Sequence, residues 1–217
     1  MSDIGSVYDP PASDLLVKEE LPEKYLTGPL TEQKLRRIGW VALMHILVGL
    51  PVIAASFYSA VYGESEIFFT LSLVLDLFST LLFVYLLVMF KLFLNLRFNY
   101  YRVNAHIIVL IILSLMMVID SFFMSDRMEG AFDIATLLYF LMMVVFGVII
   151  ALFGKRLLAI DTLFKYLRLF AWSNIVLGVC LASVILFLLA LPVGLLSSFA
   201  LMMIFFTAAG ELKGESA

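Results

Sequence analysis

The chain has one cysteine, Cys180, and two histidines, and only 14% of its residues are charged. A single thiol excludes an intramolecular disulfide and a cysteine-based metal centre. His45 and His106 have no carboxylate close by in sequence, so no metal site is expected. No glycine-rich phosphate loop, Ser–His–Asp arrangement or paired His/acid cluster is found, which argues against an enzyme and against a cofactor. There is no basic patch, and the net charge is -3, so no nucleic-acid partner is expected. No cleavable signal peptide is expected either. The first 30 residues are polar and acidic rather than basic and then apolar, so the first apolar segment is expected to act as its own insertion signal.

The residues that are plentiful are apolar. Hydrophobic residues make up 64% of the chain, and the mean hydropathy is +1.10. Water-soluble domains are about half apolar and about a quarter charged, so a bilayer is the expected solvent. Segments long enough to cross it fall at 38–61, 67–92, 103–124, 132–153, 169–190 and 193–210. The fold class expected is all-α and polytopic, with six transmembrane helices arranged as three hairpins. The domains expected are a polar, partly disordered tail (1–30), a membrane domain (31–212) and a short C-terminal tail (213–217).

Charge placement orients these spans. Of the 14 Lys and Arg residues, 13 fall in the tail, residues 91–102, residues 154–168 or the C-terminus, and only Arg127 lies on the opposite side. Short basic loops stay cytoplasmic, so both termini are expected inside. The opposite connections are short: Gly63-Glu64-Ser65-Glu66, the stretch from Asp126 to Asp133, and a break marked by Pro192 and Gly194. The basic connections read as helices running past the membrane or lying on its surface, with Asp161, Lys165 and Arg168 sharing a face. In the tail, Ser13 is placed to cap a short helix. Thr31 is placed to cap the first membrane helix, with Leu30 and Leu35 set for a hydrophobic staple.

Three apolar stretches open alike. Arg36, Arg102 and Arg168 are spaced by 66 residues, and each is followed at +4 by a ring: Trp40, His106 and Trp172. These six residues are the expected interfacial anchors. The equal spacing suggests one hairpin written three times, while a basic residue before an interfacial ring is also common at the inner end of any membrane helix. A threefold hairpin plan resembles that of mitochondrial carriers, but their Pro-x-acidic-x-x-basic signature is missing.

Few polar residues interrupt the spans. Asp76 lies inside the second, where a charge costs about 2.5–3.5 kcal/mol on insertion scales. It reads either as a proton- or cation-handling group or as a carboxylate near a helix N-terminus. His45, Asn174 and the Pro51 kink are further candidates for a transport path, each with a plain packing alternative. Gly147, Ala151 and Gly154 recur at helical spacing, as do Gly178 and Ala182, and mark faces for close helix contact.

The tail sequence Tyr8-Asp9-Pro10-Pro11-Ala12 is similar to the Asn-Pro-Tyr-x-Pro-Pro-x-Ala openings of many proteobacterial multi-pass inner-membrane proteins of unknown function. Ser6-Val7 stands where the Asn-Pro would be. Gly39-Trp40, Asp76, Lys91, Arg97 and Gly154-Lys155-Arg156 resemble the pattern of a bacterial four-span family that leaves the last two spans uncovered. This resemblance implies a bacterial inner membrane and no known activity. Two functions are expected from the sequence. The first is a non-enzymatic accessory or scaffold subunit, meeting a membrane-protein partner, a second copy or anionic lipid. The alternative is a small-solute or ion transporter or channel built from three hairpins.

Overall fold

The structure is a computed structural model; it describes residues 21–62, 66–124, 134–160, 164–183 and 186–215. The expectations for Ser13 and the rest of residues 1–20, for Gly63-Glu64-Ser65, for the Asp126–Asp133 connection with Arg127, and for Asp161 lie outside the described residues. Those residues form seven helices: α1 (Glu23–Leu26), α2 (Glu32–Tyr62), α3 (Glu66–Arg97), α4 (Asn104–Met124), α5 (Ile134–Leu157), α6 (Lys165–Ala182) and α7 (Phe187–Glu215). Five contain stretches long and apolar enough to cross a bilayer: Glu32–Ala54, Thr70–Arg97, Asn104–Ser121, Leu137–Leu157 and Leu188–Gly214. In α6 the apolar stretch, Tyr166–Ala182, is shorter.

Local chemistry explains the helix ends. Thr31 Oγ1 accepts the Lys34 N–H at 3.3 Å at the start of α2, while Leu30 and Leu35 are both buried beside it. This is a hydroxyl cap with a hydrophobic staple. The end of α3 is set by Asn99, whose φ of 50° is left-handed. Asparagine tolerates that region better than most residues, and the reversal lets the Tyr100 N–H reach back to Leu94 O at 3.3 Å.

The boundary between the last two helices differs from the sequence reading. Pro192 and Gly194 do not break the chain; both lie within α7. The break comes earlier, at Ser183. Its Oγ donates to Cys180 O at 3.0 Å and accepts the Leu186 N–H at 3.2 Å, closing α6 and opening α7. A hydroxyl that satisfies both helix ends marks a turn more strongly than a proline, which a membrane helix tolerates.

The six longer helices form a ring. Each packs on its sequence neighbours, and α7 closes back on α2. The most extensive contact is between α5 and α6, which the hairpin reading assigns to different units. Small residues allow it. A Cβ at Gly147 would lie 2.7 Å from both Gly178 O and Ala182 N, one at Gly154 would lie 2.6 Å from Ala171 O, and one at Gly178 would lie 2.6 Å from Ala151 N. The two backbones are therefore nearly touching, in the manner of small-residue membrane packing.

One end of the ring is filled with rings. Phe90 is fully buried and meets Phe170 at 5.1 Å, Phe153 at 6.3 Å and Phe205 at 6.4 Å between centroids, mostly edge to face. Phe93 continues the layer toward Tyr25, 6.1 Å away. Residues 21–30, which composition assigns to the polar tail, are packed here rather than free of the bundle. Tyr25 is fully buried, α1 lies on α3, and the Tyr25 hydroxyl donates to Ala208 O at 3.5 Å. Burial, reinforced by Glu211 and opposed by Arg97, pushes the Tyr25 phenol above its usual range, so it remains a neutral donor. Beneath it Arg97, only 3% exposed, pairs with Glu211, its Nε 3.3 Å from Oε2.

Candidate functional site

Above the aromatic layer the helices of the ring leave a space between them. They enclose a cavity of about 410 Å³, to which all six long helices contribute wall. The wall is formed by the middle of α2, the middle of α3, the later part of α4 and the first half of α7, together with much of α5 and α6. Phe153 and Phe170 belong both to this wall and to the aromatic layer, so they form its floor. The volume is within the range of about 300–1,000 Å³ usual for small-molecule sites.

Most of the wall is apolar, and the polar groups come from every helix. Helix α2 supplies His45, stacked 6.0 Å from Phe83, with its Nδ1 buried and without a hydrogen-bond partner. Helix α3 supplies Asp76, Ser79 and Thr80, and α5 supplies Tyr139. Helix α4 supplies Ser114 and Ser121, whose hydroxyls donate to Ile111 O at 2.9 Å and Val118 O at 2.7 Å on their own helix. Their protons are thus engaged, and their lone pairs remain for the cavity. On α6 and α7, Asn174 Nδ2 donates to Phe170 O at 2.7 Å and across the helices to Ser197 Oγ at 2.9 Å.

A second carboxylate stands beside the wall. Asp120, next to Ser121 on α4, has a buried Oδ2 with no hydrogen-bond partner among the described residues. Tyr139 is within electrostatic reach of both Asp76 and Asp120. Among the described residues no Lys or Arg lines the wall, and no group of three potential metal-ligating side chains occurs.

The sequence candidates separate into two places. Asp76, His45 and Asn174 meet at the cavity. Pro51 does not line it and is exposed on α2, which continues through it unbroken. Arg36, Arg102 and Arg168 are all exposed, and Trp40 and Trp172 expose 59% and 57% of their surface. Trp40 packs edge-on against Phe206 at 5.8 Å. His106 is half-buried in the first turn of α4 and does not match the two tryptophans in exposure. The three arginines also sit differently with respect to their helices: inside α2, before α4 and inside α6. Asp120, Tyr139 and the cavity serines were not singled out by sequence. Asp120 carried the same signal as Asp76, a carboxylate within an apolar run.

Replacing Asn174 with alanine tests how much the α6–α7 bond contributes. Interhelical hydrogen bonds in membranes average about 0.6 kcal/mol and reach about 1.7 kcal/mol. A loss of about 1 kcal/mol is expected in detergent-titrated unfolding, with the fold retained.

The long apolar helices and their outward apolar surface, with Leu137 63% and Leu188 65% exposed, define a helical membrane protein. No protein-family model matches the chain, and neither does any curated protein or solved structure.

Proposed function

We propose that this protein is a small-solute or ion transporter whose substrate site is the cavity inside the helix ring. One observation carries this reading: a largely apolar space inside the bundle into whose wall every long helix places at least one polar side chain. Polar and ionisable groups inside membrane segments are costly, and they mark solute or ion paths when they face a bundle interior. The accessory-subunit expectation rested partly on small-residue faces, which suit a self-contained bundle as well as an oligomer. Gly147, Ala151, Gly154, Gly178 and Ala182 are used within the chain, between α5 and α6, so the cavity carries more weight.

In this reading the ring is a six-span bundle of three hairpins in a bacterial inner membrane. Helix α6, with 18 residues, is about 27 Å long at 1.5 Å per residue, close to the roughly 30 Å of hydrocarbon. Both termini are cytoplasmic by the distribution of Lys and Arg. The aromatic layer and the Tyr25 segment then seal the inner end, and the cavity faces the outer half. The basic ends of the helices meet anionic lipid.

Two measurements test this. Gentle extraction into nanodiscs followed by mass spectrometry should find no stoichiometric protein partner; finding one would restore the accessory-subunit reading. In proteoliposomes on a solid-supported membrane, Asp76→Asn should reduce substrate-evoked current at least tenfold with an unchanged melting temperature. Undiminished current would remove Asp76 from the path.

A further inference from the structure

Resting on the transport reading of the cavity, we infer that its ligand is a small organic monocation, held by the Asp76 carboxylate and the rings of the wall, with the Asp120 carboxylate beside the wall adding to the negative field. Charge supports this first. Asp76 lines the space, and Asp120 beside it has a buried oxygen with no hydrogen-bond partner among the described residues. Among the described residues no Lys or Arg lines the wall, and the other titratable ones there are His45 and Tyr139. An anion would meet negative charge that no described wall residue offsets, and a neutral solute would leave the Asp76 carboxylate without a counterion among them in a low-dielectric space.

The hydroxyls point the same way. Ser114 and Ser121 have their protons engaged by carbonyls of their own helix, so they present lone pairs rather than donors. The wall also carries the rings of Phe83, Phe146, Phe153, Phe170 and Tyr139. Ring faces attract quaternary or alkylated ammonium groups, which are weakly hydrated and enter such a site readily.

Size separates an organic from an inorganic cation. A bare metal ion needs a close cage of oxygen ligands at fixed short distances. A largely apolar space of about 410 Å³ provides no such cage, but it accommodates an ammonium group with an apolar body.

The test uses the full-length protein in nanodiscs, with empty nanodiscs subtracted, and calorimetric titration with three probes of similar shape. These are phenyltrimethylammonium, its neutral isostere tert-butylbenzene, and benzenesulfonate. The cation should bind at least about tenfold more tightly than either of the others. Asp76→Asn and Asp120→Asn should each reduce that preference, while Asp76→Glu should retain most of it. The comparison of probes on the unaltered protein stands even if a variant fails to fold. Equal binding of the cation and its neutral isostere would overturn the cation inference and leave the cavity as a solute site. Tighter binding of benzenesulfonate would overturn it in the same way. No binding of any probe would overturn the inference and the cavity reading together.

Discussion

Replacing Gly178 with leucine is expected to break the α5–α6 pair and cost the folded protein about 3 kcal/mol or more, at the upper end of overpacking effects. The reason is the nature of the neighbouring atoms. A Cβ at Gly178 would lie 2.6 Å from Ala151 N and 2.8 Å from Ala151 Cβ. A backbone atom cannot move aside by changing rotamer, so the helices themselves must separate. Separation loses the van der Waals contact that holds membrane helices together, since lipid tails provide no hydrophobic drive for helix association. Even Gly178→Ala should cost about 1–3 kcal/mol. Gly210 provides the control. A Cβ there meets no atom within 4 Å, so Gly210→Leu should change stability by less than about 0.5 kcal/mol. Detergent-titrated unfolding and the yield of monodisperse protein read both variants. Equal behaviour of Gly178→Leu and Gly210→Leu would mean that α5 and α6 do not pack through these glycines.

How much of this was legible in sequence depends on the range of the cause. The helical membrane class follows from composition, because a chain this apolar has few other solvents available. The small residues of α5 and α6 were visible as a spacing pattern, since close approach needs missing side chains at one-turn intervals. Which face each pattern would meet was not visible, because pairing of helices is a tertiary choice. The turn after α6 was misplaced because Pro192 and Gly194 are conspicuous, whereas Ser183 acts through two hydrogen bonds that a sequence does not display. The cavity follows the same rule. Asp76, His45, Tyr139 and Asn174 come from four different helices, and nothing in their local sequence brings them together. Arg97 counted as one more basic loop residue, because the carboxylate that makes it a buried group lies 114 residues away.

That pair gives the second large effect. Arg97 ends α3, where the helix dipole favours a cation. Its guanidinium lies 5.2 Å from the Phe98 ring and 5.9 Å from that of Tyr25. Removing the Glu211 carboxylate leaves a charge that is 97% shielded from solvent without this counterion, and breaking a buried pair costs about 3–5 kcal/mol. Glu211 keeps 27% of its side chain exposed, so about 3 kcal/mol is the expected loss for Glu211→Ala and a similar loss for Arg97→Ala. The double variant Arg97→Met with Glu211→Leu should recover much of it, because apolar replacement of both partners removes the buried charges together. A double-mutant cycle in detergent-titrated unfolding isolates the pair, and a coupling of about 1–3 kcal/mol is expected. The same variants should release the segment that carries Tyr25, since its ring and hydroxyl pack between Arg97, Phe93 and Ala208. Limited proteolysis at residues 21–30 would report that release. Coupling near zero with unchanged proteolysis would mean that burial of Tyr25 and Leu30 alone holds the segment over the aromatic layer, and that the ion pair contributes nothing to closing this end of the ring.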